Sequence, residues 1–129
     1  MMKKDNAMRT PLKKVRGLGS AKSGVHHWWN QRLSAFAMVP LMSWAVFTLA
    51  TMPTLTYADA LSVVQHPLNA TMLVLFLGTG FWHAALGLRV VIEDYIGNEA
   101  QRMTLITLIN GALILLGALS VFSVLRIAL

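Results

Sequence analysis

Long apolar stretches alternate with polar ones along this chain. Residues 33–52 hold no charged side chain, and at about 1.5 Å per residue these twenty positions form a helix about 30 Å long, the thickness of a bilayer's hydrocarbon core. Two further apolar stretches, about 69–95 and 104–126, are each long enough to cross a bilayer with some tilt. Pro40 lies inside the first span and removes a backbone donor, which predicts a kink near residues 36–40. Residues 53–69 contain Pro53, Thr54, Asp59, Gln65, His66, Pro67 and Asn69, which predicts a loop with a short surface helix over 58–64. The link at 97–103 is short, so the second and third spans are expected to be antiparallel neighbours. The predicted fold is all-α, with three transmembrane helices over 33–129. A polar segment, 1–32, precedes them, and the glycine- and serine-rich run 17–24 within it reads as loop.

Charge gives these helices a direction. Lys and Arg number 11 against 5 Asp and Glu, and eight of the basic residues lie at or before Arg32. Arg89 and Arg102 flank the turn that three spans place on the same side as this segment, while residues 53–69 have neither Lys nor Arg. The positive-inside rule therefore expects the N-terminus in the cytoplasm or matrix and the C-terminus outside, with Arg126 dissenting. A basic segment of this kind favours an anionic leaflet or an acidic partner. No compact apolar core with a small-residue cleavage site follows the basic start, so no signal peptide is expected; the same basic residues also resemble a mitochondrial presequence. Trp28 and Trp29, just before the first span, read as an interfacial belt.

Composition narrows the chemistry. With 56% hydrophobic and 12% charged residues this is a membrane protein, and without cysteine it offers no thiolate ligand to a metal or an iron-sulfur cluster. A redox centre held here needs histidine or a partner's ligands. No phosphate-binding glycine loop, paired catalytic carboxylates or nucleophile with a base is found in the sequence.

His83 is the exception to an oily second span. An ionisable side chain near the middle of a membrane is costly and marks a functional-site candidate. Asp94 and Tyr95 follow at the end of the same span; eleven residues is about three turns, so His83 and Asp94 share a helical face about 16 Å apart along the axis. Gly80 and Gly87 lie above and below His83, giving room either for a flat macrocycle or for a neighbouring helix. Neutral imidazole is an axial ligand of haem iron, and no second histidine lies at membrane depth, so a bis-histidine haem would need its other ligand from another subunit. Arg89 is placed to snorkel toward the inner surface or to set topology. His26 and Arg32 stand at the inner side before the first span, as a solvated anchor or as contacts for haem propionates or a quinone. His66, beside Pro67, reads as an ordinary loop residue.

The set Gly24-Val25-His26 with Arg32 six residues on, then His83 with Asp94-Tyr95, resembles the hydrophobic membrane-anchor subunits of succinate dehydrogenase, respiratory complex II. The run from Gly19 through Trp29 is similar to the alphaproteobacterial branch. The resemblance implies half of a heterodimeric membrane-anchor bundle, the other half being a three-helix cytochrome b subunit. Together they would hold an iron-sulfur subunit and a flavoprotein to a bacterial inner membrane, or less expectedly a mitochondrial one, in contact with membrane lipid and no nucleic acid. It further implies that His83 is one axial ligand of haem b, that Tyr95 donates to a carbonyl oxygen of ubiquinone, and that Asp94 assists with protons or water. Arg32 and His26 would face haem propionates or the quinone pocket, with His27 next in line for the same place. Succinate itself would be oxidised in another subunit. The alternatives are the anchor of a fumarate reductase and a cofactor-free structural or assembly subunit.

Overall fold

The computed structural model describes Pro11, residues 22–54 and residues 56–129, with side chains described from Gly24 onward in the first helix. The basic residues from Lys3 to Arg16, and the part of the expected loop up to residue 21, lie outside the described residues. Among the described residues four helices follow one another: α1 (Lys22–Ala50), α2 (Tyr57–Gln65), α3 (Pro67–Tyr95) and α4 (Glu99–Ala128). Three of them are long and apolar enough to cross a membrane, with Gly24–Ala50 as the apolar part of α1.

Local chemistry sets the ends. Helix α2 is opened by Thr56, whose side chain accepts from the Asp59 amide while the Asp59 carboxylate accepts from the Thr56 amide, a reciprocal cap that satisfies two otherwise free donors. The Thr54 hydroxyl also donates to that carboxylate at 2.6 Å, and together with the Thr56 donors it holds the Asp59 carboxyl below its ordinary value of 3.8. Pro67 starts α3 at a position where its missing N–H is not needed. Asn98 caps α4 by accepting from the Gln101 amide, leaving only residues 96–98 between α3 and α4.

Two expectations need correction. Lys22 to Gly24 are helical rather than loop, so α1 begins well before the charge-free run: backbone helix does not need an apolar sequence, and the hydropathy pattern marks the apolar stretch rather than the helix end. The link between the last two spans is three residues, not seven, because the Asn98 cap starts the helix at Glu99. The helix assignment runs on through Pro40.

Helix α3 is the middle of the layer. It packs on α1 along one side and on α4 along another, α2 rests on α3 and α4, and α1 and α4 share no contact among the described residues. The α1 face turned to α3 is Gln31, Ser34, Met38 and Leu41, spaced three and four apart as one helical stripe; Ser34 and Leu41 are its buried members. Between α3 and α4 the packing is close at Gly117, where an added Cβ would lie 3.3 Å from the Phe81 ring. Few side chains are buried inside this layer, and Phe36, Phe47, Ile114 and Phe122 face outward. Such apolar exposure suits lipid or a further membrane subunit.

Candidate functional site

His83 is half-buried and points at α1. Its Nδ1 lies 2.8 Å from Ser34 Oγ, and its Nε2 lies 3.4 Å from Gln31 Nε2. Ser34, at 7% exposure, is the buried polar side chain of the described residues, and its hydroxyl also donates to the Gln31 carbonyl at 3.0 Å. The Gln31 side chain is only half satisfied, because its Oε1 is buried without a hydrogen-bond partner. An unpaired buried amide oxygen costs on the order of 1–3 kcal/mol.

The two glycines beside His83 serve α1. A Cβ on Gly80 would meet Met38 Cε at 3.7 Å and one on Gly87 would meet Gln31 Nε2 at 3.5 Å, ordinary contact distances, so small residues here let α1 lie close. Of the two uses expected for these glycines, the geometry displays helix packing.

Next to Gln31 a groove of about 820 Å³ opens at the α1 start and α3 end. His26, His27, Arg32, Arg89 and Glu93 line it, so His26 and Arg32 share one groove. The Arg32 guanidinium sits 5.0 Å from the Trp28 ring centroid, a cation-π arrangement, and Trp28 stacks on Trp29 with centroids 6.0 Å apart. Arg89 is paired with Glu93 at 2.8 Å, one turn along α3, and His27 Nε2 is buried without a partner. Asp94 and Tyr95 are exposed at the end of α3, Tyr95 by 83%, and neither lines this groove. The sequence-expected residues thus fall into two stations, an intramembrane one at His83 and an edge that carries His26 and Arg32 on one side and Asp94 and Tyr95 on the other.

Gln31 and Ser34 escaped the reading of the sequence. The available signal was their three-residue spacing at the head of a span, in phase with Met38 and Leu41 on one helical stripe. Among the described residues no three histidine or carboxylate side chains gather as a metal cage, so His83 is a single candidate ligand.

The family profile described as succinate dehydrogenase/fumarate reductase transmembrane subunit matches residues 6–119. The chain is 39% identical over 102 residues to the succinate dehydrogenase hydrophobic membrane anchor subunit of Rickettsia bellii, covering 76% of this chain and 78% of that one. It is 31% identical over 97 residues to the protein of the same name from Paracoccus denitrificans, with 75% of each chain covered. With the Reclinomonas americana succinate dehydrogenase membrane anchor subunit it shares 30% identity over 92 residues, 69% of this chain and 77% of that one. Three membrane-length helices, an imidazole half-buried between two of them, and these likenesses converge: the chain belongs to the family of succinate dehydrogenase and fumarate reductase transmembrane subunits, as a multi-pass hydrophobic membrane anchor.

Proposed function

We propose that this chain anchors a succinate:quinone oxidoreductase in a bacterial inner membrane and supplies one axial ligand of haem b, His83, together with part of the ubiquinone site. The observation that carries the reading is the unequal treatment of the two His83 ring nitrogens. Nδ1 is held at 2.8 Å, whereas Nε2 meets only a long 3.4 Å contact from an amide whose own oxygen has no partner. A ligand that displaces Gln31 from Nε2 therefore breaks little. The surroundings fit a haem in three respects: an imidazole with one nearly free nitrogen, the Gln31 side chain that covers that nitrogen with its own oxygen unpartnered, and an open groove on the far side of Gln31 lined by Arg32 and Arg89 as cations for carboxylate groups. Haem supplies one-electron transfer when bound.

Within this reading, His83 on α3 would hold the haem iron, and a cytochrome b subunit on the exposed face would supply the remaining protein ligand. Arg32 and His26 orient the propionates or the quinone head. Tyr95 donates to a quinone carbonyl oxygen and Asp94, next to it, handles a proton or a water; since both are exposed, the remaining pocket wall belongs to partner subunits. The iron-sulfur subunit and the flavoprotein dock on this edge, and succinate is oxidised in the latter. The names of the relatives favour the succinate-oxidising direction over fumarate reduction.

Purification through this chain in mild detergent tests the assembly. A flavoprotein, a cysteine-rich iron-sulfur protein and a second small membrane protein are expected, with a b-type haem band in the reduced-minus-oxidised spectrum. Recovery of this chain with a cofactor-free partner set would refute the proposal. The N-terminus is proposed to face the cytoplasm, because Arg32, Arg89 and Arg102 share one end of the layer. A reporter fused after Leu129 should be active only in the outer compartment, and cytoplasmic activity there would reverse the topology.

A further inference from the structure

Ser34 donates and accepts at once. It has one proton, and two groups stand within hydrogen-bond reach of its oxygen: the Gln31 carbonyl at 3.0 Å and His83 Nδ1 at 2.8 Å. A carbonyl can only accept, so the proton belongs on the Gln31 side, and the Ser34 oxygen is left to accept from Nδ1–H. That assignment, made from the hydrogen-bond network, leaves Nε2 with its lone pair, to which the Gln31 amide can donate at 3.4 Å. A reversed Gln31 amide would put an oxygen against Nε2–H. Ser34 would then have to donate to Nδ1, and two oxygens would face each other at 3.0 Å with no proton between them.

We propose that Ser34 is the positioning residue of the His83 site: the relay from His83 Nδ1–H to the Ser34 hydroxyl to the Gln31 carbonyl fixes the ring orientation and the tautomer that presents Nε2 to a haem iron. This rests on the haem reading of His83 given above. The relay does two things to a bound imidazole. It removes rotation about the ring's bond to Cβ, because Nδ1 is tied to α1 while the ring itself belongs to α3. It also strengthens the acceptor, since a hydroxyl already donating to a carbonyl is a better acceptor for the next donor in the chain. A more fully accepted Nδ1–H makes Nε2 more electron-rich, which favours the oxidised iron and lowers its potential. Burial of Ser34 keeps water from substituting for it readily.

The test compares Ser34→Ala and Ser34→Thr in the whole purified complex, by potentiometric titration of the haem b band and its low-temperature spectrum. Threonine keeps a hydroxyl that can still bond the carbonyl one turn back in a helix. Ser34→Ala should raise the midpoint so that the reduced-to-oxidised ratio at a fixed potential grows roughly tenfold, about 59 mV for one electron. Ser34→Thr should stay within about twofold of wild type, as expected if only the acceptor matters. A Ser34→Ala midpoint within that same margin, or a Ser34→Thr shift as large as that of alanine, overturns the assignment. Should the alanine complex hold no haem, the threonine variant decides: normal haem and potential support the relay, and anything else refutes it. His83→Ala run in parallel separates the two levels, because haem retained in that variant overturns the ligand reading, whereas haem lost there with a silent Ser34→Ala overturns only the role of Ser34.

Discussion

Replacing His83 by alanine is expected to abolish the haem b signal of the assembled complex or to change its spectrum. The other histidines of the described spans, His26 and His27, stand near the start of α1 rather than beside His83, so neither is placed to take over at that depth. Alanine also removes both contacts to α1: Ser34 keeps its bond to the Gln31 carbonyl, whereas the Gln31 amide nitrogen loses its partner. One polar group left unpaired in this way costs about 1–3 kcal/mol, so looser docking of α1 and lower yield of complex are expected alongside. The two effects separate under His83→Gln, which restores polar partners to α1 without an imidazole: recovered assembly without haem is the expected result. Absorption spectra of equal amounts of complex, normalised to total protein, make the comparison. An unaltered haem spectrum in assembled His83→Ala would remove the axial-ligand assignment.

Tyr95→Phe is expected to divide the complex's activities. The change keeps the ring and deletes the hydroxyl proposed to donate to a quinone carbonyl at the membrane edge. Charge grows on that oxygen as the quinone is reduced, so losing the donor resembles loss of an oxyanion contact, worth about 2–4 kcal/mol. Quinone reduction should fall roughly ten- to several-hundred-fold, each 1.36 kcal/mol being about a factor of ten. Succinate oxidation by a soluble dye that takes electrons upstream should be nearly normal, and loss of both activities would mean failed assembly. Tyr95 is 83% exposed, which leaves its hydroxyl free for a partner-built pocket. As a mere belt aromatic it would tolerate Phe in both assays. Quinone reductase activity within about twofold of wild type, under roughly 0.5 kcal/mol, would end its proposed role.

The sequence made the spans legible for a simple reason: twenty consecutive uncharged residues have few homes other than a bilayer. The surface helix α2 was legible too, and the structure extends it by one residue at each end over the expected 58–64. His83 stood out because an ionisable group in an apolar run is rare. Its partners did not. Gln31 and Ser34 are unremarkable in α1 alone, and their meaning depends on which face of α1 meets which face of α3, a relation between helices that neither helix's own periodicity contains. The start of α1 was hidden for a different reason, since hydropathy reports where hydrocarbon ends and not where a helix ends. Glycines 80 and 87 allowed two readings because a small residue makes room without stating for what.

The absence of contact between α1 and α4 among the described residues divides the layer mechanically. Helices α3 and α4, tied by three residues, form an αα-hairpin whose packing does not involve α1, while α1 reaches the hairpin only through its α3 stripe and the connection before α2. Swinging α1 outward therefore breaks the Ser34 and Gln31 bonds to His83 without disturbing Phe81 on Gly117. Among the described residues, the Ser34 and Gln31 contacts to His83 thus join α1 to the hairpin across one helix-helix face, separate from the face that joins α3 to α4.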